Sequence, residues 1–138
     1  MRVVLDTNVV VAAFATQGLC HAVFELCLDR HQINLSSEIL HETEEALCKK
    51  LKTPAQVAKG VIEYLKDRAT ITEIEVPLER ISRDPKDDHV LAVAAQTGSD
   101  FIITGDEDLL VLKRHKRTKI VSPRKFWESM KKAEREEM

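Results

Sequence analysis

Apolar residues change their period several times along the chain, and each change marks a new element. Val3 to Leu5 is a short apolar run that predicts a buried strand, and Val9 to Phe14 continues apolar without alternation, which predicts a short helix. Between Gly18 and His31, the residues Leu19, Ala22, Val23, Leu26 and Cys27 recur at threes and fours, the period of an amphipathic helix. A short strand is expected around Ile33 to Leu35. The pair Ser36-Ser37 then supplies an N-cap for a helix over roughly Glu38 to Leu51. Thr53-Pro54 repeats the cap-then-proline signature, and Val57, Val61, Tyr64 and Leu65 mark the apolar face of the helix it opens.

The run TEIEVP, ending at Pro77, alternates as a strand. Asp84-Pro85 starts a helix whose interior, VLAVAAQT, is apolar almost all round and which closes at Gly98, so deep packing is expected. DFIITGD predicts a buried strand running into acid, followed by a short helix over about Glu107 to Leu112. A basic loop, a strand at Ile120-Val121 and a helix entered by Ser122-Pro123 complete the pattern. Strands and helices alternate throughout, with no repeat, low-complexity segment or linker. That order predicts one domain over residues 1–138, an α/β three-layer sandwich around a mainly parallel sheet. In such sheets ligands gather beyond the carboxyl ends of the strands. Asp6, directly after Leu5, and Asp106, after the strand Ile102 to Thr104, both fall there.

With 43% hydrophobic and 32% charged residues, the composition is that of a folded domain with one core. Met1-Arg2-Val3-Val4 carries no extended apolar region before a small-residue cleavage site. No apolar run approaches the roughly 18 residues that span a bilayer, so a cytoplasmic protein with no membrane contact is expected. Cys20, Cys27 and Cys48 are odd in number, lack C-x-x-C spacing and sit in helical apolar patterns, as reduced core residues do. A net charge of −2 gives no whole-molecule attraction for nucleic acid, so any such binding must come from local patches.

The acids resist a purely structural explanation. In RDPKDDHVLAVA, Asp84 is accounted for as the cap before Pro85, and Asp87 can complement the helix dipole in the first turn. Asp88 adds a second like charge that capping does not require. On the helix SEILHETEEALCKKL, Glu38, Glu42, Glu44 and Glu45 are all available. Glu45 and Lys49 form an ordinary i,i+4 pair, Glu42 lies at the edge of the apolar arc, and Glu44 falls between Leu40 and Cys48, so the wheel leaves the choice open. Carboxylates arriving from separate elements repel unless a divalent cation compensates them. Hard oxygen ligands favour Mg²⁺ or Mn²⁺ over zinc, and His21, His31, His41, His89 and His115 have no pairing with Cys at zinc-ligand spacing. His89, beside Asp88, reads as a packed or solvated residue.

Taken together, VVLDTNVVVAA, SEILHETEEAL, DPKDDHVLAVAAQTGSDFIITGDEDLL and IVSPRKFWE resemble the PIN domain, and within it the toxin components of bacterial toxin–antitoxin systems related to VapC-type ribonucleases. The resemblance covers essentially the whole chain. It implies a metal-dependent ribonuclease in which Asp6, Glu42, Asp88 and Asp106 are the catalytic acids, with Asp6, Asp88 and Asp106 holding Mg²⁺ or Mn²⁺. Asn8, Thr104, Asp108 and Asp87 would support them. Glu42 is selected here because EILHE matches the family's helical acid. The same resemblance implies water attack leaving a 5′-phosphate and a 3′-hydroxyl, an RNA substrate, a homodimer and a cognate antitoxin. RNA needs a basic rim, for which KRHKRTK, with Lys113, Arg114, Lys116 and Arg117, is the candidate run.

Two other readings fit parts of the pattern. A phosphatase of the haloacid-dehalogenase type would use Asp6 as nucleophile, but wants a second Asp where this chain has Asn8. A non-catalytic module would use the acids to bind metal or a partner protein without cleavage.

Overall fold

The computed structural model describes residues 1–75 and 79–137. In chain order the elements are β1 (Arg2–Leu5), α1 (Thr7–Ala15), α2 (Leu19–Arg30), β2 (Gln32–Ser36), α3 (Ser37–Lys49), α4 (Ala55–Arg68), β3 (Thr70–Thr72), α5 (Pro85–Thr97), β4 (Phe101–Ile103), α6 (Glu107–Leu110), β5 (Arg114–His115), β6 (Thr118–Val121) and α7 (Pro123–Glu137). The strands form one sheet in the order β3-β2-β1-β4-β6-β5, parallel except for the β5–β6 hairpin.

This is the expected α/β sandwich. Val3, Val4 and Leu5 are all fully buried, so β1 is covered on both faces, as a central parallel strand must be. On one side α1 to α4 and α7 pack into a continuous layer, with α2 and α3 against β2. On the other, α5 lies against β1, β2 and β4. Right-handed crossovers dictate that division, because the chain steps outward from β1 to β3 and then returns past β1 to β4.

Local chemistry sets most helix ends. Ser36 caps α3 by accepting from the Ile39 N–H, Asp84 caps α5 by accepting from the Lys86 N–H ahead of Pro85, and Gly98 closes α5 in the left-handed region at φ 62°. Several expectations shift. No Thr53 side chain caps α4; Pro54 stands at its N-cap. Its buried face runs through Ala58, Ile62 and Leu65, leaving Val57 55% exposed. The strand expected in TEIEVP lies earlier, at Thr70–Thr72, while Val76 and Pro77 fall outside the described residues. The basic run is a hairpin rather than a loop: β5 pairs with β6 across Lys116 and Arg117. No single described helix is long and apolar enough to cross a membrane.

The order of strands reverses between β1 and β4, where β1 connects outward to β2 and β4 connects outward to β6. A crevice opens at such a switch point, beyond the carboxyl ends of the two strands.

Candidate active site

β1 is followed directly by Asp6 and β4 by Thr104-Gly105-Asp106, so chain direction alone delivers both acids to the switch-point crevice. The two ends are then tied together. One Asp6 carboxylate oxygen accepts from the Thr7 N–H at 2.8 Å, capping α1, and the other accepts from the Thr104 hydroxyl at 2.7 Å and the Asn8 amide at 3.2 Å. Thr104 Oγ1 in turn accepts from the Asp106 N–H at 3.0 Å, and Asn8 Oδ1 accepts from the Gly105 N–H at 3.1 Å. Asp106 Oδ1 caps α6 by accepting from the Asp108 N–H at 2.9 Å. Asn8 and Thr104 thus hold the end of β1 against the loop that carries Asp106.

Two helices bring in further acids. α5 presents Asp87, whose Oδ2 accepts from the Ser82 hydroxyl at 3.0 Å, and one carboxylate oxygen from each of Asp87, Asp106 and Asp108 lies within 4.8 Å of the others. α3 presents Glu42 from the opposite wall. Asp6, Glu42, Asp84, Asp87 and Asp106 share a cleft of about 590 Å³ with Thr7, Asn8 and Lys86. Lys86 Nζ stands 4.0 Å from Glu42 Oε2, and Arg83 donates to Asp108 at 2.9 Å.

Burial disfavours the charged forms of Asp87, Asp6 and Glu42. It pushes Asp87 up to about 6, opposed by the Ser82 hydroxyl and reinforced by Asp106 and Asp84. It also raises Asp6, against the hydrogen bonds from Thr104 and Thr7, and raises Glu42, against the nearby Lys86 ammonium. Carboxylates that converge, resist ionisation and offer only oxygen donors suit a hard divalent cation, which would relieve their repulsion. Asp87, Asp106 and Asp108 have the spacing to hold one, with Asp6 adjoining.

Asp88 does not join this cluster. Its Oδ1 accepts from the backbone N–H groups of Ile81 and Ser82 at 3.0 and 2.7 Å, Arg80 Nε is 3.6 Å from Oδ2, and its side chain is 0% exposed. It lines a separate hollow beside Ile81, Leu91 and His115. Successive residues on a helix point about 100° apart, and that step turns Asp88 to another side of α5, into the hollow, while Asp87 enters the cleft. Of the two, it is Asp87 and not the expected Asp88 that lies with Asp6, Glu42 and Asp106. The signal that favours Asp87 is its i,i+3 spacing from Asp84, which places both over one face of α5.

The basic run Lys113, Arg114, Lys116 and Arg117 does not line this cleft. Lys116 and Arg117 form the turn before β6, at the end of the sheet opposite the cleft, with β6 itself spanning roughly 13 Å between them. Arg117 pairs with Asp100 at 2.8 Å and Lys116 with Glu79 at 3.5 Å, while Arg114 lies opposite Lys119 in the hairpin. Lys113, which precedes that hairpin, does not line the cleft either. Among the described residues, the cations that line the cleft are Lys50 and Lys86, which the sequence did not single out. His89 is packed, as expected, but in a specific way: Nε2 meets the Ser36 hydroxyl at 2.8 Å and Nδ1 meets Glu38 at 2.9 Å, bridging α5 to the start of α3.

Comparison with known proteins agrees with this architecture. Among solved structures, the chain is similar to VapBC2 from Rickettsia felis, bound to a DNA fragment from its promoter, with a TM-score of 0.65 at 17% identity over 88% of this chain and 98% of that one. It is similar to Mycobacterium tuberculosis VapC20, described as a Sarcin-Ricin loop cleaving toxin, with a TM-score of 0.59 at 15% identity over 85% and 98%. FitAcB from Neisseria gonorrhoeae gives 0.57 at 16% over 88% and 97%. No curated protein matches the sequence. The family model described as PIN domain matches residues 2–108, from the first residue of β1 to the Asp108 carboxylate, and the chain belongs to that family.

Proposed function

We propose that this chain is a divalent-cation-dependent ribonuclease that hydrolyses phosphodiester bonds in the switch-point cleft. The observation that carries the reading is the convergence of Asp6, Glu42, Asp87 and Asp106 from four separate elements into one cleft, where burial opposes the ionisation of Asp6, Glu42 and Asp87. Structural acids do not need such an arrangement; a site for a hard cation does. The similarity to VapC20, described as a Sarcin-Ricin loop cleaving toxin, supports a nucleic-acid loop, which we read as RNA, as substrate.

Asp6, Asp87, Asp106 and Asp108 would hold Mg²⁺ or Mn²⁺, which supplies charge stabilisation at the phosphate and a hydroxide-like nucleophile from water. Thr104 and Asn8 fix the Asp6 carboxylate, so its orientation needs no rearrangement when substrate arrives. Glu42, raised by burial and facing the acids across the cleft, accepts the proton released as water attacks phosphorus. The bond to the 3′ oxygen breaks and that oxygen takes a proton from solvent water, leaving a 3′-hydroxyl and a 5′-phosphate. The chain works in the cytoplasm as a homodimer and as the toxin of a pair, silenced by an antitoxin segment that sets a cation against the carboxylates; VapBC2 and FitAcB support such a partner.

The test is cleavage of a mixed single-stranded RNA pool by purified protein with and without Mn²⁺ or Mg²⁺, alongside Asp106→Asn. Metal-dependent products with 5′-phosphates, lost in the variant, are expected. Products with 2′,3′-cyclic ends, or cleavage unaffected by chelation, would overturn the reading.

A further inference from the structure

The cleft has two unlike walls. One is acidic. The other, built by α1 and α3, presents Val11, Ala12, Ala15 and Ala46, with Leu51 just beyond the end of α3 left 46% exposed. A smaller recess of about 160 Å³ adjoins this wall and shares Thr7, Glu42, Ala46, Lys50 and Lys86 with the main cleft, with Glu45 and Lys49 beside them.

Helix electrostatics explain some of these cations. Lys49 occupies the last turn of α3 and Lys50 its C-cap, where positive charge complements the dipole. Lys86 has no such reason. It lies in the first turn of α5, the end where a cation is unfavourable, and yet it faces the cleft beside Glu42. A cation placed against its helix dipole, next to a second lysine and an exposed apolar surface, matches a ligand with anionic links and a flat, largely apolar body.

We infer that this wall is a subsite for one unpaired nucleotide beside the scissile phosphate, its base on the shelf of Ala12, Ala15, Ala46 and Leu51 and its flanking phosphates against Lys50 and Lys86. The inference rests on the ribonuclease reading of the cleft. A cleft of about 590 Å³ is the size of a small-ligand pocket and takes one nucleotide, not a duplex. The base must therefore be unstacked, which selects single strands and loops. The shelf is aliphatic, so contact is with the face of the base and discriminates weakly among the four.

The experiment compares KM and kcat for one unstructured RNA strand, alone and annealed to its complement, at several salt concentrations. The proteins are wild type, the double variant Lys50→Gln/Lys86→Gln and Leu51→Ser, each checked for an unchanged melting temperature. Annealing is expected to slow cleavage at least about tenfold. The double variant should raise KM about tenfold and lower the slope of log KM against log salt by about 1.4, since each phosphate contact on a single strand contributes about 0.7. Leu51→Ser should raise KM about threefold. If wild type cleaves RNA and both variants keep its KM and salt slope, the subsite is wrong and the nuclease reading stands. If wild type cleaves no RNA, both fall.

Discussion

Asp87 and Asp88 are neighbours with opposite assignments, and exchanging each for a neutral residue separates fold from chemistry. In Asp88→Ala the N–H groups of Ile81 and Ser82 lose a charged acceptor at 3.0 and 2.7 Å. Hydrogen bonds to charged groups contribute about 1.5–3 kcal/mol each, but Ile81 is 39% exposed and water can replace part of the loss. A net cost of about 2 kcal/mol follows. For a chain of 138 residues the unfolding entropy is about 0.3 kcal/mol/K, so the melting temperature should fall by about 7 °C. Asp87→Asn keeps an acceptor for the Ser82 hydroxyl and removes a charge that burial and Asp106 both oppose. Its melting temperature in chelator should stay within about 3 °C of wild type, while metal-dependent cleavage should drop a hundredfold or more, about the scale of losing one placed charge-stabilising group. Thermal denaturation and initial rates on one RNA read both effects. An Asp87→Asn enzyme with full activity beside a stable but inactive Asp88→Ala would refute the argument.

Further outcomes follow from the same geometry. Asp87 is raised to about 6, so without metal the folded state binds its proton more readily than the unfolded state; stability should rise as pH falls from 7 towards 4, and Asp87→Asn should flatten that rise in a melting series. Because the cation needs deprotonated carboxylates, metal affinity measured by calorimetry should weaken below about pH 6. Thr104→Val removes the hydroxyl that donates to Asp6 and accepts from the Asp106 N–H, and should cost about 10- to 100-fold in metal affinity. Lys116→Gln, at the far end of the sheet, should leave KM for RNA within about twofold in the steady-state assay.

Where buried apolar runs set the structure, the sequence was readable. β1 and β4 stand out as short apolar runs, and their ends carry Asp6 and Asp106 to the switch point by chain direction alone. The phase of α5 was not readable, because Val90, Leu91, Val93 and Ala94 are all buried and an apolar-all-round helix gives its polar residues no preferred side. The β5–β6 hairpin was hidden for a different reason. Lys113 and Lys116 adopt φ of 62° and 53°, positions where Gly or Asn would have announced a turn. The basic run misled because charge does not encode which end of a sheet a loop occupies. Glu42 lay beyond helical periodicity and was singled out only by the family pattern.

The strand order also limits how copies of this protein can meet. The sheet ends in β3, three residues long, on one side and in β5, two residues long, on the other. Strands that short offer few free backbone groups for another chain to pair with. The longer strands β1, β2 and β6, of four or five residues, each have neighbours on both sides. Self-association must therefore proceed through helix surfaces, where side chains set the partner and the register, rather than through backbone pairing that accepts almost any extended segment.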